Sequence, residues 1–290
     1  MQRTDIDVSK VKKGAVFIGM LNPYFEKDKI LQLAAAGISP FALELVPRIT
    51  RAQSMDVLSS QSNLAGYVSV LSAVNSMQKC VPMMMTAAGT VSAAKFLILG
   101  AGVAGLQAIA TAKRLGGIVS AFDVRAAAKE QVQSLGAKFI EVKTTAAQDL
   151  ETKGGYAKEM TEEYKQQQQK LIFDTIINQD VVISTALIPG KKAPILITAD
   201  MVKNMKAGSV IVDLAAANGG NCELTENGKI KQVGQVTIIG HENFASLVSS
   251  DASKLYAKNI FNFIELLVDK EKKNIAINLE DEILKATLIS

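Results

Sequence analysis

The sequence predicts an α/β protein with parallel sheets, and three observations indicate this fold class. Short apolar or β-branched runs alternate with helical patterns along most of the chain. Among the 290 residues, 48% are hydrophobic and 21% are charged, which supplies apolar material for one large or two ordinary domains. A glycine-rich turn also lies between a predicted strand and a predicted helix. Neither an all-α nor an all-β fold fits this alternation.

Composition argues against several classes of function. The net charge of +4 is spread along the chain rather than gathered in a basic block, so nucleic acid is not an expected partner. The N-terminal residues lack the apolar core of a signal peptide, and the longest uncharged apolar run contains three glycines, so we expect neither export nor a membrane span. Cys80 and Cys222 lack metal-site spacing, so we expect two buried, reduced thiols and no metal.

Eight short runs have the composition of strands. Two of them precede a long stretch, 51–77, whose apolar residues lie mostly three and four positions apart, and this spacing predicts a connecting helix. The predicted strands are 15–20, 41–45, 95–99, 118–122, 138–142, 181–185, 209–213 and 237–239.

A second connecting helix is predicted at 251–270, with Ser250 as its N-cap. It would carry the chain back to the first domain, which would then be discontinuous. We therefore predict an incomplete first domain from residues 1–50 and 265–290, and a second domain at 51–264 flanked by the two connecting helices.

The glycine-rich turn is GAGVAG at 100–105, and its context makes it more specific than its spacing alone. The strand predicted at 95–99 precedes it and a helical pattern at 106–115 follows it. In such units the first glycine permits a tight turn, the second lets the backbone approach a pyrophosphate, and the third allows close helix packing. Free amides at the helix N-terminus then bind phosphate. The residues assigned to this site are Gly100, Gly102, Val103 and Gly105.

An acidic residue follows the next strand at the expected place. Asp123 lies eighteen residues beyond Gly105, where a carboxylate accepts the ribose hydroxyls and disfavours a 2′-phosphate. The sequence therefore favours NAD(H) over NADP(H). Val124 and Arg125 are assigned to the same site, although an arginine here could also accept a 2′-phosphate. The predicted fold is two Rossmann-like domains with parallel sheets, the first discontinuous and incomplete, the second doubly wound and dinucleotide-binding.

Four further stretches are distinctive: RITRAQSMDVLSSQ at 48–61, MMMTAAGTV at 83–91, GGYAKEM at 154–160 and TALIPG at 185–190. They resemble segments of the NAD(H)-binding alpha subunit (domain I) of proton-translocating NAD(P) transhydrogenase, in the alanine dehydrogenase/transhydrogenase superfamily. The resemblance implies a homodimeric component that passes hydride from NADH to NADP⁺ on a partner component, coupled to proton translocation by a membrane-spanning component. It also implies a cytoplasmic location at the inner face of the membrane.

The resemblance also implies roles for individual residues. It places four polar side chains around the nicotinamide as catalytic and binding groups: Arg48, Gln53, Asp56 and Ser59. Gln53 and Ser59 offer donors and acceptors for the ring amide, and Arg48 is expected to pair with Asp56. An alternative is that these are ordinary polar groups at a helix N-terminus.

Three more segments are matched by the same resemblance. Gly155 and Tyr156 match a mobile loop that closes over bound nucleotide. Gln168 and Leu187 match further nucleotide contacts, although the glutamine tract at 166–169 is also explained by a solvated helix face.

Two alternatives to a transhydrogenase component stay open. Alanine dehydrogenase shares the fold but needs a proton-transfer group. Asn22 and Ala217 stand where that family has a histidine and an aspartate, and His241 is expected to be structural or solvent-facing. The resemblance begins near Gly14, well inside the family's first domain, so an N-terminally truncated, inactive NAD-binding module is the other alternative.

Overall fold

The computed structural model describes residues 7–142 and 161–289. The helices in these ranges are α1 Lys27–Ala35, α2 Val57–Ser76, α3 Val103–Arg114, α4 Ala128–Ser134, α5 Glu162–Ile176, α6 Ala199–Lys203, α7 Ser249–Ile264 and α8 Glu282–Thr287. The strands are β1 Val16–Gly19, β2 Ser39–Ala42, β3 Met84–Thr86, β4 Gly89–Val91, β5 Lys95–Leu99, β6 Ile118–Phe122, β7 Lys138–Ile140, β8 Val181–Ser184, β9 Val210–Asp213, β10 Lys229–Val233, β11 Val236–Gly240, β12 Val268–Asp269 and β13 Asn274–Ile275.

The larger of two compact units, residues 62–247, is built on a seven-stranded sheet. Its strand order is β7-β6-β5-β8-β9-β11-β10, and only the edge strand β10 is antiparallel to its neighbour among the described strands of this sheet. Numbered along the chain, the parallel strands follow the 3-2-1-4-5-6 order of dinucleotide-binding sheets. The predicted α/β fold class is confirmed, and the order reverses between β5 and β8, where such sheets bind ligands.

The core of this unit explains why its central strands form. β8 and β9 are buried at every position, as expected for parallel strands covered on both faces. Apolar side chains from β5, β8 and β9 pack with those of α5 and α6 in one cluster that includes Leu97, Val182, Ile211, Ile172 and Met201. Thr161 caps α5 by accepting a hydrogen bond from the Tyr164 amide.

The smaller compact unit combines both ends of the chain, residues 1–61 and 248–290. Within its described residues, β1 and β2 form a parallel pair joined through α1. Phe41 of β2 meets Phe263 of α7 edge to face, with ring centroids 5.5 Å apart, and both belong to a core that also contains Met55 and Ile283. The boundary between the units falls inside α2, and the domain boundaries at residues 50 and 264 stay a prediction.

Several predicted elements have different bounds in the structure. The predicted strand at 41–45 ends at Ala42, because residues Leu43–Leu45 turn into a 3₁₀ helix. The predicted helix at 51–77 is a 3₁₀ helix, Thr50–Met55, followed by α2. The predicted helix at 251–270 ends at Ile264, and its N-cap is Val248, so the assignment of Ser250 was wrong.

Two strand pairs, β3–β4 and β12–β13, and one edge strand, β10, were missed by the sequence analysis. The hairpin of β3 and β4 is exposed at every position and so lacks the apolar alternation of a half-buried strand. β10 has the sequence KIKQV and lies at the sheet edge, where lysines are common.

The two cysteines differ. Cys222 is buried as predicted, and burial raises the pKa of its thiol to about 11. Cys80 is exposed, so its predicted burial was wrong: it lies in the segment between α2 and β3, outside the described cores. In residues 7–142 and 161–289, no cluster of His, Cys, Asp or Glu could hold a metal ion. No helix of those ranges is long and apolar enough to cross a membrane.

Candidate functional site

The glycine turn at the carboxyl end of β5 requires glycine at two positions. Gly100 has φ of +97°, and a Cβ there would lie 2.6 Å from Thr185 Oγ1. A Cβ on Gly105 would overlap the carbonyl oxygen of Gly100. These two glycines therefore let the turn close and let α3 pack against it.

Gly102 has a different environment. A Cβ added there would meet no described atom within 4 Å, and its φ of −76° suits any residue. It is the N-cap of α3, and no side chain of the described residues caps the helix. The first-turn amides, including that of the exposed Val103, are therefore available to a ligand, and the partial positive charge of the helix favours an anion. The open space and the free amides fit a dinucleotide pyrophosphate.

Asp123 lies beside this turn at the end of β6. One carboxylate oxygen accepts the Ala101 amide at 2.7 Å and Arg125 Nη2 at 2.9 Å, and the other accepts the Arg125 amide at 2.8 Å and Arg125 Nε at 3.0 Å. The bond to Ala101 fixes the acid against the turn. Burial raises the pKa of the Tyr164 phenol on α5, and the negative charge of Asp123 raises that pKa further. The two side chains are therefore close enough to interact electrostatically.

Thr185 was not assigned a role from the sequence, yet it joins the strands on either side of the switch point. Its hydroxyl donates to the carbonyl oxygen of Gly100 at 3.0 Å, and its amide donates to Leu99 O at 2.8 Å. Its position directly after β8 was the signal that could have identified it, because ligand-binding residues of such sheets follow the strands.

A buried network fixes the segment after Thr185. The carboxylate of Asp213, which is fully buried, accepts hydrogen bonds from Ser184, Ala215, Asn221, Cys222 and Thr225. The side chain of Asn221 in turn accepts the Ala186 amide at 3.1 Å and donates to Ala186 O and Pro194 O at 2.9 and 2.8 Å. These bonds hold the loop that carries Leu187.

The remaining predicted contacts in this unit have mixed environments. Leu187 is exposed, and Val124 is half-buried against the core. Gln168 is buried, whereas the other three glutamines of its tract are exposed, so the solvated-face interpretation fails for Gln168 alone. Gly155 and Tyr156 lie outside the described residues.

The signature segment at 48–61 belongs to the smaller unit. Arg48 and Gln53 are exposed, the latter on the 3₁₀ helix Thr50–Met55. Asp56 directly precedes α2, and its carboxylate accepts the Ser59 amide at 2.8 Å and the Ser59 hydroxyl at 2.6 Å. Asp56 thus caps the helix, and the Ser59 hydroxyl is held against the Asp56 carboxylate. The expected pairing of Arg48 with Asp56 stays a prediction.

The C-terminal residues support this segment. Arg51 donates to both carboxylate oxygens of Asp281, at 2.7 and 3.1 Å. Asp281 also caps α8 by accepting the amides of Ile283 and Leu284. The bond from Arg51, together with these amides, holds the pKa of Asp281 below its usual value despite partial burial.

The positions that distinguish an alanine dehydrogenase have clear environments. Asn22 has φ of +55°, a left-handed conformation that asparagine tolerates, and its backbone N–H donates to the Glu44 carboxylate at 2.6 Å. Ala217 is exposed on a 3₁₀ helix, Ala216–Asn218. The ring of His241 is half-buried and packs edge to face on Phe244 at 5.2 Å, which fits the predicted structural role.

Comparison with family models gives the class of protein. The model of the alanine dehydrogenase/PNT N-terminal domain matches residues 2–65, and that of the C-terminal domain matches residues 69–290. With the glycine turn and the strand order, these matches place the chain in a family of the nicotinamide dinucleotide-binding dehydrogenase type.

Individual relatives narrow the class. The chain is 52% identical over 284 residues to an NAD(P) transhydrogenase alpha-subunit polypeptide of Rhodospirillum rubrum, covering 98% of this chain and 74% of the relative. A solved transhydrogenase from Sinorhizobium meliloti superposes with a TM-score of 0.86 at 51% identity, over 99% of this chain and 77% of the other. The chain belongs to the NAD(P) transhydrogenase alpha-subunit family. A solved L-alanine dehydrogenase, 23% identical with a TM-score of 0.75 over 97% of this chain and 73% of the other, shares the fold.

Proposed function

We propose that this chain is the NAD(H)-binding component of a proton-translocating NAD(P) transhydrogenase. The glycine turn holds the dinucleotide, and Arg48, Gln53, Asp56 and Ser59 serve the nicotinamide. Bound NADH supplies a hydride, which passes to NADP⁺ held by a partner component. The protein's contribution is then to position the donor ring and exclude water, rather than to transfer a proton.

The assignment of NAD(H) rests on Asp123 and Arg125. The guanidinium of Arg125 lies against the Asp123 carboxylate, so its charge is compensated rather than presented to a 2′-phosphate. The carboxylate itself is only 7% exposed and fixed by Ala101, where it would meet ribose hydroxyls and repel a phosphate. This pairing weakens the argument that Arg125 selects NADP(H).

The observation that carries the proposed reaction is the pair of residues at the dehydrogenase positions. An amino-acid dehydrogenase needs a group that exchanges a proton with its substrate. Here Asn22 offers an amide that does not titrate near neutral pH, and Ala217 offers no polar group. Transfer between two nicotinamides needs neither group, so these residues support a transhydrogenase component over an alanine dehydrogenase.

Partners and location follow as further elements of the proposal. We infer an NADP(H)-binding component, a membrane-spanning component and a cytoplasmic position at the inner face of the membrane. A homodimer is supported by the apolar surface at the β3–β4 hairpin, where Met83, Met84 and Met85 are exposed by 61%, 39% and 79%.

The test is a transfer assay on the purified chain. Mixed with the NADP(H)-binding component, it should reduce an NADP⁺ analogue with NADH, and adding the membrane component should make the rate respond to a proton gradient. Absence of transfer despite measured NADH binding would contradict the proposal. Reduction of NAD⁺ by L-alanine would favour the dehydrogenase instead.

The truncated-module alternative needs a separate measurement. A folded binder should show one cooperative thermal transition that NADH raises, because a ligand of the native state stabilises it. A transition that NADH leaves unchanged would support the inactive module.

A further inference from the structure

The side chain of Asn259 is the starting point. It lies on α7, is only 7% exposed, and uses both ends of its amide on the signature segment about two hundred positions earlier in the chain. Its Nδ2 donates to the carbonyl oxygen of Ser54 at 2.8 Å. Its Oδ1 accepts the hydroxyl of Ser60 at 2.7 Å.

The two contact points enclose a short piece of chain. Between Ser54 and Ser60 lie five residues, and two of them, Asp56 and Ser59, belong to the proposed nicotinamide site. Met55 and Val57, in the same piece, are buried in the core of this unit. Core packing thus fixes the depth of the segment, and Asn259 fixes its two ends. The orientation of Asp56 and Ser59 depends on both.

The chemistry of Asn259 is unusual for its surroundings. The other buried residues of α7 are Ala252 and Phe263, and an apolar side chain would pack beside them without any desolvation of polar atoms. A buried amide is stabilising only when its donor and acceptor are both satisfied, which Ser54 and Ser60 achieve. Its bonds are directional, so they specify where the segment lies along α7, whereas apolar contact would not.

We propose that Asn259 is a positioning residue for hydride transfer, which it serves by holding Asp56 and Ser59 in register through Ser54 and Ser60. This inference rests on the proposed function. A small displacement of the groups around a reacting ring lowers the rate far more than it lowers affinity, because hydride transfer depends on distance and alignment. Loss of Asn259 should therefore affect turnover before it affects binding of NADH.

The principal experiment uses Asn259→Ala in the complex with the NADP(H)-binding component. Turnover at saturating nucleotides should fall about tenfold, while the Kd for NADH stays within about twofold, as expected when alignment alone is lost. Unchanged turnover, or a raised Kd with unchanged turnover, would overturn the inference. The milder Ser60→Ala removes only the hydrogen bond to Asn259 Oδ1 and should lower turnover about threefold. It tests the positioning role even if Asn259→Ala does not fold.

Two further variants make the result specific. Asn262 lies on the same helix and donates to the same Ser54 carbonyl at 3.0 Å, but it is only half-buried and reaches only one end of the segment among the described contacts. Asn262→Ala should therefore keep normal turnover, and a loss equal to that of Asn259→Ala would overturn the inference. Gln53→Ala separates the two proposals. If Gln53→Ala transfers hydride at the wild-type rate, the assignment of the nicotinamide site is wrong. If Gln53→Ala is slow while Asn259→Ala transfers at the wild-type rate, only the positioning role of Asn259 is rejected.

Discussion

The glycine turn and the signature segment obtain their geometry in opposite ways. The turn at 100–105 is determined mostly by its own residues and by Asp123 nearby, and its outside support comes from Thr185. The segment at 48–61 is held by Asn259 and Asp281, which lie about two hundred residues later in the chain. A local site can be recognised from a motif, whereas a segment held from a distance needs the fold before its support can be seen.

The largest effect is expected from a substitution that disrupts the glycine turn itself. Gly105→Ala places a methyl group onto the backbone carbonyl of Gly100, and backbone cannot move aside cheaply. Such overpacking should lower the free energy of unfolding by about 3 kcal/mol and abolish NADH binding. Urea unfolding and NADH titration measure both. Retention of wild-type stability would show that α3 can move away from the turn.

A neighbouring substitution separates binding from folding. Gly102→Ala has open space and a permitted φ, so the free energy of unfolding should stay within about 0.5 kcal/mol of wild type. The new methyl group would occupy the approach of the pyrophosphate, and loss of about two charge-assisted hydrogen bonds should raise the Kd for NADH about a hundredfold. Equal binding by Gly102→Ala and wild type would mean that the phosphates lie elsewhere.

Asp123→Asn tests the choice of nucleotide. It keeps the size of the side chain but removes the charge that pairs with Arg125 and repels a 2′-phosphate. The Kd for NADH should rise about tenfold, and the preference for NADH over NADPH should narrow. Asp174→Asn, an exposed change on α5, is the matched control. An unchanged preference would move the selection to other residues.

The smallest expected effect lies in the signature segment. Asp281→Asn keeps an N-cap for α8 but removes the ion pair with Arg51, which should lower the free energy of unfolding by about 0.5 kcal/mol at pH 7. Asp281→Ala should cost about 1 kcal/mol, because the cap is lost as well.

The pH dependence of Asp281 has a definite sign. The pKa of its carboxyl is lowered from 3.8 in the folded chain, so the pairing stabilises fully above about pH 4 and is lost as pH falls through the lower, folded value. The difference between wild type and Asp281→Asn should shrink towards pH 3 in urea unfolding. A difference that stays constant with pH would show that the charge of Asp281 is not its source.

The sequence predicted the parallel strands of the larger unit well, because their apolar runs need no partner to be recognised. It also singled out Gly100, Gly102, Gly105 and Asp123, because their spacing is set within one βαβ unit, and their role in binding a dinucleotide stays a prediction. Asp213 looked like an ordinary strand end, since nothing in the sequence shows that five donors converge on it. Asn259 looked like one polar residue on an amphipathic helix, because its partners are distant in sequence.

The ends of helices and the exposed segments were predicted less well from the sequence. Bounds of the helices near residues 56 and 250 shifted because capping by Asp56 and the chain path at Val248 depend on contacts outside the local pattern. The β3–β4 hairpin was missed because its residues face solvent on both sides. Cys80 was assigned to the interior on residue type alone, which ignores where the chain runs.

The contrast between the two thiols makes the protein a selective substrate for chemical labelling. With a pKa of about 11, roughly one Cys222 thiol in a thousand is ionised at pH 8, and its burial shields that small fraction further. Cys80 is open to reagent. A maleimide dye should therefore label only Cys80 in the native chain and both cysteines after unfolding. The fraction of molecules that carry a second label then measures how many have unfolded in the larger unit.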